Sequence, residues 1–342
     1  MTHPKRPDDP TAPHRGDVRD EEVLIVGAGP IGIACAISAR RRGYDPLLID
    51  AGAIVNSIAN YPPQMVFFTT PELLEIGGHP LTCAGEKPTR AEAMKYYRGV
   101  VRAEELRVAT YTRLLSVDAG ARTKSGALSC DLEGEHGPWQ VRCQRLILAT
   151  GYFDQPNKLR VPGEDLPHVR HLYDEGHRHY GRDVVVIGGK NSAVEASLDL
   201  FRSGARATIV YRGAEFPRGV KYWLRPDLEN RIAAGSIAAR MSTTVESIEP
   251  RHVVVRNAAG ETERLPADRV FALLGYQPDE ALFRRVGIEI EEPTGRPVHD
   301  PRTLETNISG VFIAGSITAG RRTSEVFIEN GRFDGEKILA AW

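Results

Sequence analysis

VLIVGAGPIGIACAISARRRGYDPLLID, residues Val23 to Asp50, decides the fold. An apolar run ends in Gly27, Gly29 and Gly32, a small-residue segment continues to about Arg42, and a second apolar run closes on Asp50. That order is strand, glycine turn, helix, strand, the βαβ unit. The first glycine permits a tight turn, the second lets a pyrophosphate approach the backbone, and the third lets the helix pack on the strand. The helix N-terminus offers free N–H groups and positive potential to phosphates. Asp50 ends the second strand 23 residues after Gly27, where a carboxylate accepts ribose hydroxyls. The stretch Val23 to Ala39 is apolar enough to suggest a signal sequence or a membrane span, but its three glycines, Pro30 and the preceding Glu21 and Glu22 speak for strand, turn and helix.

The same grammar returns in DVVVIGGKNSAVEASLDLFRSGARATIVYR, Asp183 to Arg212. Here Gly188 and Gly189 are followed by Lys190 where the second motif glycine would stand, and Ala193 takes the third place. The Lys190 ammonium suits a phosphate, with Asn191 and Ser192 opening the helix beside it. Arg212 stands where an acid would select NAD, so NADPH is the expected ligand. The fold class is α/β: two Rossmann-like dinucleotide-binding domains, the second inserted into the first. The expected boundaries are a flexible arm over 1–20, a first domain over 21–155 and 278–342, and a second over 156–277. The arm rests on four prolines and mixed charge without a hydrophobic period. Two dinucleotide units divide labour most simply as FAD in one and NADPH in the other, the arrangement of a flavoprotein reductase.

Composition narrows the rest. The 342 residues carry 44 basic and 45 acidic side chains, so bulk charge gives no reason for nucleic-acid binding. Cys35, Cys83, Cys130 and Cys143 form no CxxC pair and no zinc spacing, which fits a reducing cytoplasm and neither a disulfide framework nor a metal knuckle. His168, His171, His177 and His179 cluster without a familiar ligand spacing, so no metal is expected. Thr89 and Glu92 read as a capping box opening a helix through Tyr96, Tyr97 and Val100. Leu128, Cys130 and Leu132, then Val141 and Cys143, alternate as a small antiparallel meander that leads into RLILATG, Arg145 to Gly151. Cys130 and Cys143 read as buried structural thiols, and Cys83 as a loop thiol with nothing clearly lowering its pKa.

GAGPIG at Gly27, ATGYFDQP at Ala149, VIGGKNSAVEA at Val186 and TNISGVFIAGS at Thr306 together resemble the low-molecular-weight thioredoxin reductase family. NSIANYP from Asn56, FFTTPELLEIG from Phe67, YYRGVV from Tyr96, VPGEDLPHV from Val161, GGKNSA from Gly188 and FIENGRF from Phe327 are most similar to its YpdA-type bacillithiol disulfide reductases. The resemblance spans residues 22 to 342. It implies FAD in the domain built from both chain ends, at Gly27, Gly29, Pro30, Gly32, Asp50, Gly151, Gly315 and Ser316. It implies NADPH in the inserted domain, at Gly188, Gly189, Lys190, Asn191, Ser192 and Arg212, and a cytoplasmic homodimer acting on a small disulfide or a small electron-carrier protein. The departures are specific. The region HLYDEGHRHYGRD has no CxxC, Ile31 stands where YpdA-type enzymes tend to have cysteine, and Ser316 stands where many relatives have aspartate. Cys35, one helical turn beyond Ile31, is the candidate displaced redox thiol. The readings kept beside a disulfide reductase are a ferredoxin or flavodoxin NADP reductase, a flavin monooxygenase-like enzyme, and a non-catalytic NADPH or FAD redox sensor.

Overall fold

The computed structural model describes residues 14–118 and 127–342. The chain divides into two units. One gathers the chain up to Ala59, Thr69–Asp154 and Gln277–Trp342; the other gathers Asn60–Phe68 and Gln155–Tyr276.

In the first unit strand Val18–Val26 is central, with Leu47–Ile49 parallel on one side and Gly137–Leu148 parallel on the other. Its exposure alternates over Val18–Glu22 and then vanishes over Val23–Val26. The change marks where the sheet becomes covered on both faces, which is why the sequence there loses its polar residues. Gly137–Leu148 is one continuous strand. One edge lies parallel to Val18–Val26 from Gln140 to Leu148, while the other pairs antiparallel with Leu128–Gly134 over Gly137–Cys143 and then parallel with Val311–Ile313 over Leu146–Leu148. The second strand of the meander and RLIL are thus one element within a single seven-stranded sheet. Cys130 and Cys143 point into its core with their sulfurs 3.9 Å apart.

Helix Pro30–Arg41 starts on proline, whose missing N–H costs nothing at the first helical position. Gly32 through Ile37 are all buried, so the helix is apolar nearly all round. It is crossed at close range by helix Asp334–Ala340, because Gly335 has no side chain: a Cβ there would lie 2.8 Å from the Cys35 Cα. Each fully buried Leu or Ile side chain in such a core contributes about 1.5–3 kcal/mol. An aspartate at Ile25, which is wholly buried, would therefore break the sheet's centre. Helix Arg90–Ala103 opens with both halves of the capping box, Glu92 N–H to Thr89 Oγ1 at 3.3 Å and Thr89 N–H to Glu92 Oε2 at 2.8 Å.

The arm expected over 1–20 takes in residues that are paired. Residues 1–13 lie outside the described residues, but Val18–Asp20 are paired strand, with Val18 opposite Gln140 and the Gly16 N–H on the Pro138 carbonyl at 2.8 Å. Main-chain pairing orders a polar segment that has little to bury.

The second unit has five parallel strands in the order Ala238–Arg240, Arg206–Val210, Asp183–Ile187, Arg269–Ala272, Val169–Arg170. A three-stranded antiparallel sheet, Thr243–Glu249, His252–Asn257 and Thr262–Pro266, accompanies it. Asn60–Phe68, which the sequence places inside the first domain, packs here. Lys221 Nζ donates to the Val66 carbonyl at 3.3 Å and pairs with Glu195, and Phe68 stacks on Trp223 at 5.7 Å. The chain consequently passes between the units four times. Among the described residues no helix is long and apolar enough to cross a membrane.

Candidate functional site

The turn after Val26 shows what each glycine does. Gly27 has φ +108°, and a Cβ there would lie 2.4 Å from the Ala149 carbonyl oxygen. At Gly32 a Cβ would lie 1.8 Å from the Gly27 carbonyl oxygen. Both are demanded by the protein's own packing. Gly29 differs: it caps helix Pro30–Arg41 in ordinary extended backbone, and nothing lies within 4 Å of where its Cβ would be. Open space above a helix N-terminus is the feature a pyrophosphate requires. Gly151, at φ +66°, faces open space in the same way.

Asp50 is half-buried and straps this turn. Its Oδ2 accepts from the Ala28 N–H and its Oδ1 from the Gly52 N–H, each at 2.8 Å. Burial pushes its carboxyl up from the usual carboxylate range, while these two N–H groups and Arg113 oppose the shift and nearby Asp154 adds to it. Each oxygen keeps a lone pair for a hydroxyl donor.

Gly315 completes the first site from the far end of the chain. Its φ is +75°, and its N–H donates to Asp334 Oδ2 at 2.8 Å. Asp334 is almost wholly buried and went unnoticed in the sequence; its position in the first turn of a terminal helix was the available signal. Ser316 is half-buried in the 3-10 turn Gly315–Ala319. Ile31 fills the space against Gly315 and Gly331: a Cβ on Gly315 would lie 3.0 Å from Ile31 Cγ1, and one on Gly331 would lie 3.1 Å from Ile31 Cδ1. Position 31 is therefore occupied by hydrocarbon packed on two glycines.

Cys35, the candidate for the missing thiol, is not presented to solvent. It is wholly buried, and burial, followed by the Asp334 charge, pushes its thiol far above the ordinary range. Access and thiolate character are both lost. Cys83 is half-buried, donates to the Gly85 carbonyl at 3.0 Å, and is also shifted upward, by desolvation and then by Glu92.

The second turn is built differently. Gly188, φ +140°, would bring a Cβ to 2.4 Å from the Leu273 carbonyl oxygen. Gly189 lies beneath the Tyr211 ring, 2.4 Å from where its Cβ would stand, so its bareness serves a tyrosine that sequence reading passed over. Lys190 caps helix Asn191–Arg202 and is exposed, as is Ser192. Asn191 is committed elsewhere, its Nδ2 donating to the Gly219 carbonyl at 3.2 Å and its Oδ1 accepting from the Lys221 N–H at 2.8 Å. It positions the loop 217–224. The Gly188 N–H bonds the Val210 carbonyl at 3.0 Å, so Arg212, two residues on, leaves the sheet at the end that carries Lys190. Arg212 is exposed and pairs with no carboxylate among the described residues.

Of the clustered histidines, His179 is buried against Phe271 with Nε2 3.3 Å from Asp174 Oδ1, and His171 Nε2 lies 3.2 Å from Lys158 Nζ. Among the described residues no group of three His, Cys, Asp or Glu side chains is arranged to hold a metal ion.

Comparison with known proteins accords with this geometry. Residues 24–315 match the model of the pyridine nucleotide-disulphide oxidoreductases. The chain is similar to bacilliredoxin reductase Bdr of Bacillus subtilis, 42% identical over 94% of this chain and 97% of the relative. It is similar to the solved structure of bacillithiol disulfide reductase Bdr (YpdA) from Bacillus cereus, with 41% identity, TM-score 0.91, and coverage of 94% and 98%. A ferredoxin–NADP reductase of Ignicoccus hospitalis is 27% identical over 92% of this chain and 95% of its own. Two glycine turns on parallel sheets, in one chain that matches the family model from the first strand to Gly315, place it plainly: the chain belongs to the pyridine nucleotide-disulphide oxidoreductase family.

Proposed function

We propose that this enzyme passes reducing equivalents from NADPH, through bound FAD, to a small disulfide, and does so without a thiol of its own. Family membership makes it an oxidoreductase using FAD and NADPH. The acceptors to test first are those for which its relatives are named, bacilliredoxin and bacillithiol disulfide. The observation that carries the thiol-free route is Ile31 packed on Gly315 and Gly331, with Cys35 sealed behind it.

Bound in the first unit, FAD would supply the redox chemistry, hydride acceptance from NADPH and electron delivery to an acceptor. The chain's own residues supply binding and orientation. Gly29 leaves room for the pyrophosphate, the N–H groups that follow Pro30 donate to it, and Asp50 accepts the ribose hydroxyls. Gly151, Gly315 and Ser316 line the rest of the FAD path. In the inserted unit Lys190 and Ser192 face the NADPH phosphates, Gly188 and Gly189 form the turn, Asn191 holds the neighbouring loop, and Arg212 takes the 2′-phosphate.

The test is anaerobic reduction with NADPH, followed by reoxidation with bacillithiol disulfide, oxidised bacilliredoxin, ferredoxin, flavodoxin and oxygen. Fast reoxidation by a disulfide supports the proposal. Reoxidation by ferredoxin or flavodoxin alone would transfer the protein to the electron-transferase reading, which Ile31 also suits because that chemistry needs no cysteine. A cytoplasmic homodimer belongs to the same proposal, to be checked by light scattering and cell fractionation.

A further inference from the structure

The first unit holds a cavity of about 260 Å3 that none of the residues assigned to either dinucleotide lines. Its walls come from Arg296 to Leu304 on one side, and on the other from Thr318 and Ala319 at the end of the 3-10 turn, the segment from Arg322 to Gly331, and helix Asp334–Ala340.

The cavity is built rather than incidental. Gly320, φ +59°, lets the turn close on the small hairpin formed by antiparallel strands Ile290–Glu291 and Arg296–Pro297: a Cβ there would lie 2.6 Å from the Arg296 nitrogen. The Arg321 N–H bonds the Thr294 carbonyl at 2.9 Å, and the Arg296 N–H bonds Thr294 Oγ1 at 3.3 Å. The backbone of Arg296 is thereby pinned.

Its charges do not cancel. Lys337 pairs with Asp334 Oδ1 at 3.0 Å, and Arg322 pairs with Glu325 at 3.0 Å. Arg296, the third lining cation, pairs with no carboxylate among the described residues. One positive charge is left over. Beside it His299 Nδ1 lies 2.7 Å from the Pro297 carbonyl. A carbonyl only accepts, so Nδ1 carries the proton, and burial keeps the ring below its usual pKa and neutral. Nε2 is then an acceptor. Thr318 Oγ1 donates to the Gly315 carbonyl at 2.8 Å and likewise offers only lone pairs. A guanidinium flanked by two acceptors suits a carboxylate with a hydroxyl or ammonium donor near it.

We propose that this cavity binds the carboxylate end of the disulfide acceptor, with Arg296 as its specificity-determining residue. The inference rests on the disulfide-reductase reading above. The cavity adjoins that site through Gly331, which lines it and also backs onto Ile31 and the Gly315 Cα.

Oxidised, FAD-loaded enzyme cannot reduce a disulfide, so binding can be measured apart from turnover. Titration calorimetry compares bacillithiol disulfide, which carries carboxylates, with cystamine, which has the same bond and none. Arg296→Met should weaken bacillithiol disulfide by about tenfold or more, leave cystamine unchanged, and recover in part as Arg296→Lys. In turnover it should raise KM for bacillithiol disulfide, keep kcat within about twofold, and leave flavin reduction by NADPH unaltered. Equal binding to wild type and Arg296→Met, equal weakening of cystamine, or tighter binding of succinate than of the disulfide would overturn the proposal. Arg296-dependent binding with no reduction of any disulfide would sink the disulfide-reductase reading and leave the cavity as a carboxylate site. Disulfide reduction indifferent to Arg296 would do the reverse.

Discussion

Gly29 and Gly32 stand three residues apart in one motif, yet the structure assigns them opposite costs. A methyl at Gly32 would sit 1.8 Å from the Gly27 carbonyl oxygen, and 3.0 Å is a separation real Cβ atoms essentially never undercut. The helix would have to retreat by at least 1.2 Å from a fully buried strand, the difference between those two distances. Overpacking of this kind costs about 1–3 kcal/mol and sometimes more. A methyl at Gly29 meets nothing within 4 Å, and the backbone there is already one that alanine adopts. Alanine is a poorer N-cap than glycine, but it also lowers the entropy of the unfolded chain, so the two effects, each up to about 1 kcal/mol, oppose. We therefore expect apo Gly29→Ala to melt within about 3 °C of wild type. Its loss should fall on FAD, because the methyl occupies the space the pyrophosphate must enter. A weakening of about ten- to a hundredfold corresponds to roughly 1.4–2.8 kcal/mol, the scale of lost close contacts to an anion. Gly29→Val should abolish binding. The assay is calorimetric unfolding of apoprotein together with fluorescence titration of FAD. Apo Gly29→Ala that melts as low as Gly32→Ala, or that binds FAD like wild type, would refute the reasoning.

Arg212→Ala should lower kcat/KM for NADPH by about ten- to a hundredfold and leave NADH nearly untouched, since only a 2′-phosphate gains from the guanidinium; equal losses would give the arginine a structural role. A variant with Cys35, Cys83, Cys130 and Cys143 all changed to alanine should still bleach its flavin with NADPH and still turn over disulfide; loss of either activity in a folded protein, restored by returning Cys35, would show that a sealed thiol is exposed during the cycle. Burial, as the leading cause, holds the imidazoles of His168, His171 and His299 below 6.5. The unfolded chain then binds more protons, so stability should be full above about pH 6.5 and fall as pH drops through the lower folded values. Melting temperatures from pH 8 to 5 test this, and His171→Gln should flatten the slope.

What the sequence disclosed is what local chemistry determines. The strand–turn–helix at Val23, the capping box at Thr89 and the buried faces of Leu128–Leu132 each rest on residues within one turn or one pleat of each other. Interactions across long separations stayed hidden. Lys221 reaches Val66 across 155 positions, and no composition shift marks Asn60–Phe68 as belonging to the other unit. Asn191 looked like a phosphate contact because of where the motif puts it, and its amide turned out to hold a loop near Gly219. The long strand Gly137–Leu148 was hidden for a related reason, since one of its edges changes partner from Leu128–Gly134 to Val311–Ile313 and its polarity pattern changes with it.

The two turns also show why a fingerprint predicts a ligand better than it predicts the residues that touch one. In the first, the middle glycine is the one the protein's own atoms do not need, so its bareness is left for a guest. In the second, Gly188 and Gly189 are both consumed by internal packing, under Leu273 and Tyr211, and the position that would face a guest carries Lys190. On the function proposed above, contact there would be delegated to side chains, Lys190 and Arg212, in place of bare backbone. A side-chain grip is easier to retune than a backbone cradle, because changing it need not disturb the fold. Nicotinamide preference should accordingly yield to substitutions at these two exposed positions at little cost in stability, whereas the flavin site should resist any change at Gly27 or Gly32.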